Sequence, residues 1–229
     1  MHAVVISGGL THDFPATTAC LATLLAEQGI DAVVHEDVEA GLRSLSGAAL
    51  LVVNALRWTM TGPATPDRYR DLAATAGASP SPAARAAFAE HLHGGGGLLG
   101  MHTASICFDD WPEWGEALGG VWVWGRSSHP PLGTARIGVT APKHPLVHGL
   151  GGFAIDDEVY SDLEYAPGLE PLLTAQDPRP GQPLMWAREH GGGRVVYDAL
   201  GHHPASYAVA PHREMVRRAI GWTAGTATP

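Results

Sequence analysis

An α/β fold, with a doubly wound and mainly parallel sheet, is predicted by three observations. Apolar, β-rich runs at residues 3–6, 31–35 and 48–54 alternate with helical stretches at residues 15–29 and 38–45. The first and third runs are apolar on both faces, as strands covered by helices on both sides must be. Small residues flank one polar residue in Leu99-Gly100-Met101-His102-Thr103-Ala104. That pattern suits a tight strand-to-helix turn, where bulky neighbours would clash.

The first strand, Ala3-Val4-Val5-Ile6, runs into a glycine-bearing loop that carries His12. That loop lacks the spaced Gly-x-Gly-x-x-Gly pattern, so no nucleotide cofactor is expected. Pro15 opens the first helix, Leu21, Leu24 and Leu25 supply its apolar stripe, and Gly29 stops it. The third strand ends at Asn54. Residues 57–80 are rich in Pro, Thr and Ala and read as an insertion or lid over the sheet edge. Ser81-Pro82 opens a helix that the run Gly94-Gly95-Gly96-Gly97 ends. Leu98-Leu99-Gly100-Met101 is the fourth strand, with His102 at its end.

Residues 104–118 read as helical and carry Trp111 and Trp114. In Val121-Trp122-Val123-Trp124, a strand would turn both indoles the same way. Packing is the favoured reading, and an aromatic platform for a sugar ring is the other. Residues 134–139 form a further strand. In Asp156-Asp157-Glu158, strand alternation lets Asp156 and Glu158 share a face. Residues 182–188 and 193–197 form two strands joined by Glu189-His190-Gly191-Gly192, a C-terminal β-hairpin. Its second strand leads to Leu200-Gly201-His202-His203-Pro204. A closing helix covers residues 212–222, and the tail after Gly225 is expected to fray. No repeat or linker interrupts the 229 residues, so one domain spans 1–229.

A net charge of −9, with no basic block, argues against a nucleic-acid partner. No apolar run reaches membrane-spanning length. The opening residues read as a strand rather than a signal peptide, so a cytoplasmic location is expected. Two cysteines, Cys20 and Cys107, make no disulfide framework. Cys107 falls off the turn apex and is disfavoured as a nucleophile.

The order of motifs resembles the ThuA-like family of trehalose-utilisation proteins. The motifs are Gly100-Met101-His102-Thr103-Ala104, His144-Pro145-Leu146 with Gly149-Leu150, Asp157-Glu158-x-Tyr160, Trp186-x-Arg188, Gly193-Arg194-Val195 and Leu200-Gly201-His202. The resemblance implies a flavodoxin-like sheet of the class I glutamine-amidotransferase type and a link to catabolism of oxidised (3-keto) disaccharides. True amidotransferases carry Cys where His102 stands, and they need a downstream His-Pro-Glu. Here His203-Pro204 is followed by Ala205, so glutamine hydrolysis by that route is not expected.

His12, His102 and His202 all follow predicted strands, and ligands of such sheets bind outside the strands' carboxyl ends. The three imidazoles, with a carboxylate, suit zinc or another divalent metal. His102, Glu158 and His202 are the candidate catalytic groups. His12, Asn54 and Tyr160 are the candidate substrate contacts, with Glu158 or Tyr160 at the pocket rim. A metal would polarise a carbonyl, and without one His102 and Glu158 form an acid–base pair. The expected ligand is a small keto-sugar. A non-catalytic sugar-binding or regulatory module is the alternative, and a homo-oligomer is left open.

Overall fold

The computed structural model describes residues 1–226. Strand β1 (His2–Gly9) leads through the His12 loop into helix α1 (Phe14–Ala26). Asp13 caps that helix, its carboxylate accepting from the Ala16 N–H at 3.1 Å, with Pro15 in the first turn. Strand β2 (Asp31–His35), helix α2 (Val38–Arg43) and strand β3 (Leu50–Leu56) complete the first β-α-β-α-β unit. β3 is buried along its whole length, as its unbroken apolar run requires.

Residues 57–80 hold two short helices, α3 (Asp67–Arg70) and α4 (Ala73–Ala76). Trp58 anchors this insertion: it is fully buried, with Tyr69 and Trp124 packed against its ring. Helix α5 (Pro82–His93), capped by Ser81, then delivers the chain to strand β4 (Gly97–Met101). The region expected to be one helical stretch after Ala104 is divided. A 3-10 turn, His102–Ile106, is followed by helix α6 (Pro112–Leu118). Phe108 has a φ of 57° and Pro112 starts the new helix, so the break is built into the backbone.

Strands β5 (Gly120–Val121) and β8 (Glu164–Tyr165) form a separate two-stranded pair. Trp122 and Trp124, expected on a strand, therefore lie beyond the one that forms, which ends at Val121. Gly125, at a φ of 84°, turns the chain there. The two indoles still meet edge-on at 5.9 Å, and both pack on aromatic neighbours.

The remaining strands are β6 (Gly133–Val139), β7 (Phe153–Asp157), β9 (Pro171–Asp177), β10 (Pro183–His190) and β11 (Gly193–Asp198). The main sheet runs β2-β1-β3-β4-β11-β10-β9-β6-β7. Its first five strands pair in parallel, and from β11 onward every pairing is antiparallel. The sheet is thus mixed rather than mainly parallel. β10 and β11 are joined by Gly191 and Gly192, too short a link for a parallel crossover. Helix α7 (Ala210–Thr223) closes the chain. Beyond Gly225, Thr226 donates its N–H to Gly221 O at 2.9 Å, so the tail is still held at that point. The rest of the tail, residues 227–229, lies outside the described residues.

Candidate metal centre

β1, β4 and β11 end at one edge of the parallel half, and each delivers a histidine there. β4 ends at Met101, and His102 adopts a φ of 43°, rare for a residue with a side chain. That turn swings the imidazole off the sheet. The Tyr197 hydroxyl fixes it from below, donating to His102 O at 2.7 Å. His102 Nδ1 donates to Ala199 O at 2.7 Å, which leaves Nε2 with the lone pair whenever the ring is neutral.

His12 sits on the β1–α1 loop. Its Nδ1 donates to Leu10 O at 3.2 Å, and its Nε2 is buried without a partner. Burial, reinforced by neighbouring His102, lowers its pKa to about 4, so the ring is neutral at physiological pH. His202 follows β11, and its Nδ1 stands 3.3 Å from both His102 Nε2 and Glu158 Oε2. The bond to Glu158 raises its pKa despite partial burial. Burial pushes the Glu158 carboxyl up. The imidazoles of His102 and His202 beside it outweigh that and hold it well below the ordinary carboxylate range.

One ligand atom from each of His12, His102, Glu158 and His202 lies within 4.8 Å of the other three. The rings face one another edge-on, with centroids 4.7 Å (His12–His202), 5.2 Å (His12–His102) and 5.3 Å (His102–His202) apart. Three imidazole nitrogens and one carboxylate oxygen are a metal-ligating set. The Leu10 and Ala199 carbonyls are the kind of outer partner that fixes a ligating imidazole's tautomer.

Other predicted positions fare differently. Tyr160 is buried behind His102 rather than at the rim, and its hydroxyl donates to His102 Nε2 at 3.2 Å. Asn54 does lie at the end of β3, but its amide points at α1. It donates to Thr17 Oγ1 and Thr18 Oγ1, both at 2.9 Å, so it ties strand to helix and offers no donor to a ligand. Asp156 and Glu158 do not share a face. β7 ends at Asp157, Asp156 stays outside against Thr134, and Glu158 turns inward past the strand's end. His203 caps the next turn, its Nδ1 accepting from Ala205 N at 3.1 Å. Cys107 is buried, its thiol donates to Ala55 O at 3.1 Å, and burial pushes its pKa up to about 12.

Asp157, read in the sequence only as part of a motif, and His129, to which the sequence gives no role, both support the site. Asp157 is buried and accepts four hydrogen bonds. They come from Glu158 N (2.8 Å), Gly201 N (2.8 Å), His202 N (3.2 Å) and Ser206 Oγ (2.6 Å). It therefore sets the backbone that carries both Glu158 and His202. Gly201, at a φ of 105°, bends the loop so that its N–H reaches that carboxylate. His129 reaches Glu158 Oε2 with its Nδ1 at 3.5 Å, from a loop with no periodic pattern.

The family model described as ThuA, trehalose utilisation, matches residues 2–223. The chain belongs to the ThuA family. The family name ties it to carbohydrate metabolism. Comparison with curated proteins gives no match. A ThuA-like protein from Parabacteroides merdae is 20% identical, with a TM-score of 0.74 over 100% of this chain and 92% of that one. A protein of Salmonella typhimurium LT2 described as cytoplasmic is 15% identical, with a TM-score of 0.63 over 99% and 98%. A β-galactosidase from Bacillus circulans sp. alkalophilus is 12% identical, with a TM-score of 0.60 over 98% of this chain but 31% of its own. At these identities the structural likenesses establish the ThuA fold alone. Among the described residues, no helix of this ThuA chain is long and apolar enough to cross a membrane.

Proposed function

We propose that this ThuA-family chain is a divalent-metal enzyme of proton transfer on a small oxidised (keto) sugar, without glutaminase activity. The observation that carries the reading is the convergence of His12, His102, Glu158 and His202 within 4.8 Å, with the buried Nε2 of His12 unpartnered. A neutral imidazole nitrogen buried without a donor calls for a Lewis acid or a proton. The nitrogen-rich set favours zinc. The 4.8 Å span slightly exceeds two zinc–nitrogen bonds of about 2.1 Å laid end to end, so binding would draw the rings inward.

A bound ion would polarise a substrate carbonyl. The chain's own groups then supply the rest. Glu158, the carboxylate of the group, takes a proton from the carbon beside that carbonyl. The same carboxylate then returns it to a neighbouring atom, while His12, His102 and His202 would hold the ion. His102 holds the centre in register through Ala199. The parallel order β2-β1-β3-β4-β11 supports kinship with flavodoxin-like, amidotransferase-type sheets. His102 stands there at the place of the thiol, and imidazole serves as base or ligand rather than as an acyl carrier.

The missing thiol also favours a second reading, a sugar-binding or regulatory module without turnover. One experiment separates the two. Metal content is measured by mass spectrometry on protein purified without a metal column, and 3-keto-sugar mixtures are then followed by mass spectrometry. The enzyme reading expects near-stoichiometric metal and a new product that chelation and His102→Ala both abolish. Sugar binding without any product supports the module instead, and absence of bound metal after incubation with zinc defeats the proposed centre.

A further inference from the structure

A cavity of about 490 Å³ opens beside the histidine–glutamate cluster, with His12 in its wall. Its other walls differ in chemistry. Val34, Ala22 and Pro15 give the lining apolar surface, and Arg57 and Glu36 add a guanidinium and a carboxylate. These two charges do not neutralise each other. Neither enters an ion pair among the described residues, and the contact between them is a long one, from Arg57 Nη2 to the Glu36 backbone carbonyl at 3.5 Å. Arg57 Nε is buried with no acceptor at all. With no carboxylate partner among the described residues, the guanidinium keeps other N–H donors beside the cavity.

The glycine loop keeps this space clear. A Cβ on Gly8, at a φ of 97°, would come within 3.0 Å of Arg57 Nη2. The side chain that would displace the guanidinium is the one the sequence leaves out.

We infer that the cavity flanking His12 is the recognition subsite for a neutral polyhydroxylated ring, with adjacent hydroxyls held between Arg57 as donor and Glu36 as acceptor. This rests on the keto-sugar reading of the adjoining centre. A diol supplies lone pairs to Arg57 and O–H donors to Glu36 at once. An anionic group would satisfy Arg57 alone and would lie against the Glu36 carboxylate. The apolar surface suits the C–H face of a pyranose. Because His12 lines the cavity and also belongs to the cluster, a ring bound here lies against the centre. The subsite therefore points to a two-ring substrate, one ring recognised here and the other presented to the centre.

The test uses zinc-incubated full-length protein and calorimetric titration with trehalose, glucose and glucuronate. Wild type is expected to bind trehalose more tightly than glucose, and glucuronate most weakly. Arg57→Gln and Glu36→Gln should each weaken trehalose binding about 10- to 100-fold, with circular dichroism and zinc stoichiometry unchanged. Glu36→Gln should also narrow the gap between glucose and glucuronate. Absence of trehalose binding by wild type, or unchanged affinity in both variants, overturns the subsite. Preference of wild type for glucuronate also overturns it, because it would make Arg57 an anion site. Zinc stoichiometry is read separately. Its loss in wild type strikes the metal centre, whereas sugar affinities indifferent to Arg57 and Glu36 strike the subsite alone.

Discussion

His102 Nδ1 lies 2.7 Å from the carbonyl oxygen of Ala199, and that bond decides which ring nitrogen faces His12, Glu158 and His202. The carbonyl can only accept, so Nδ1 carries the proton and Nε2 turns its lone pair inward. His102→Ala removes the central nitrogen of the cluster. It should lower zinc affinity at least about a hundredfold, more than loss of an outer partner costs. Turnover should vanish with it. Thermal melts should show a folded but less stable protein, because Ala199 O and the Tyr160 hydroxyl lose their buried partner. Full zinc binding by the variant would refute the role given to His102.

Asp157 acts one step further out. Its carboxylate receives four donors, two of them the backbone N–H groups of Gly201 and His202. Asp157→Asn replaces one acceptor oxygen with an NH₂ that must face those donors. The loop carrying His202 should loosen, costing about 1–3 kcal/mol of stability. Zinc affinity should fall about tenfold without loss of any ligand. Denaturant titration and competitive chelation measure the two effects, and unchanged zinc affinity would make Asp157 purely structural.

What the sequence disclosed follows from which signals are local. His12, His102 and His202 were legible because each follows an apolar run, and buried strands announce themselves by continuous hydrophobicity. Glu158 was legible as a residue but not in its direction. Alternation pairs it with Asp156 only while the strand lasts, and β7 stops at Asp157. Asn54 was misread because a strand-end position does not reveal which way a side chain turns, and Thr17 and Thr18 on α1 claim its amide. The antiparallel pairings of β6, β7 and β9 were hidden for a related reason, because an apolar run carries no mark of its direction. His129 sits on a loop with no pattern to read, and only the fold brings it to Glu158.

A buried pair outside the cluster gives a pH signature. His212 Nε2 and Asp198 Oδ2 are 3.0 Å apart with both side chains fully buried. Burial pulls the His212 pKa down, but the charge and hydrogen bond of Asp198 outweigh it and raise the pKa above the ordinary value of 6.5. A raised folded-state pKa contributes stability that is complete below about 6.5 and is lost as pH rises through the folded value. His212→Gln leaves Asp198 without its cation and should cost about 3–5 kcal/mol. The gap between wild type and variant should therefore be larger at about pH 6 than at about pH 9. Urea melts at the two pH values decide it, and a gap that grows with pH would contradict the assignment.

Glutamine hydrolysis on an amidotransferase-type fold needs a thiolate at the strand-end turn, and His102 occupies that turn. The chain's two thiols lie elsewhere. Cys20 is half-buried on α1, and burial raises its pKa. Cys107 lies beneath the turn, its hydrogen is given to Ala55 O, and its pKa stands at about 12. At pH 8 only about one Cys107 in ten thousand is then thiolate, far too few for a nucleophile. His202 does have a carboxylate beside it, Glu158 at 3.3 Å, so the missing acid at Ala205 does not by itself disarm the site. The missing thiol does. Purified protein should release no ammonia from glutamine, and iodoacetamide at about pH 8 should leave both zinc content and keto-sugar turnover intact. Under denaturing conditions both cysteines should alkylate readily, which shows that burial is what protects them. Ammonia release abolished by alkylation would overturn the assignment of this centre to imidazole and carboxylate chemistry.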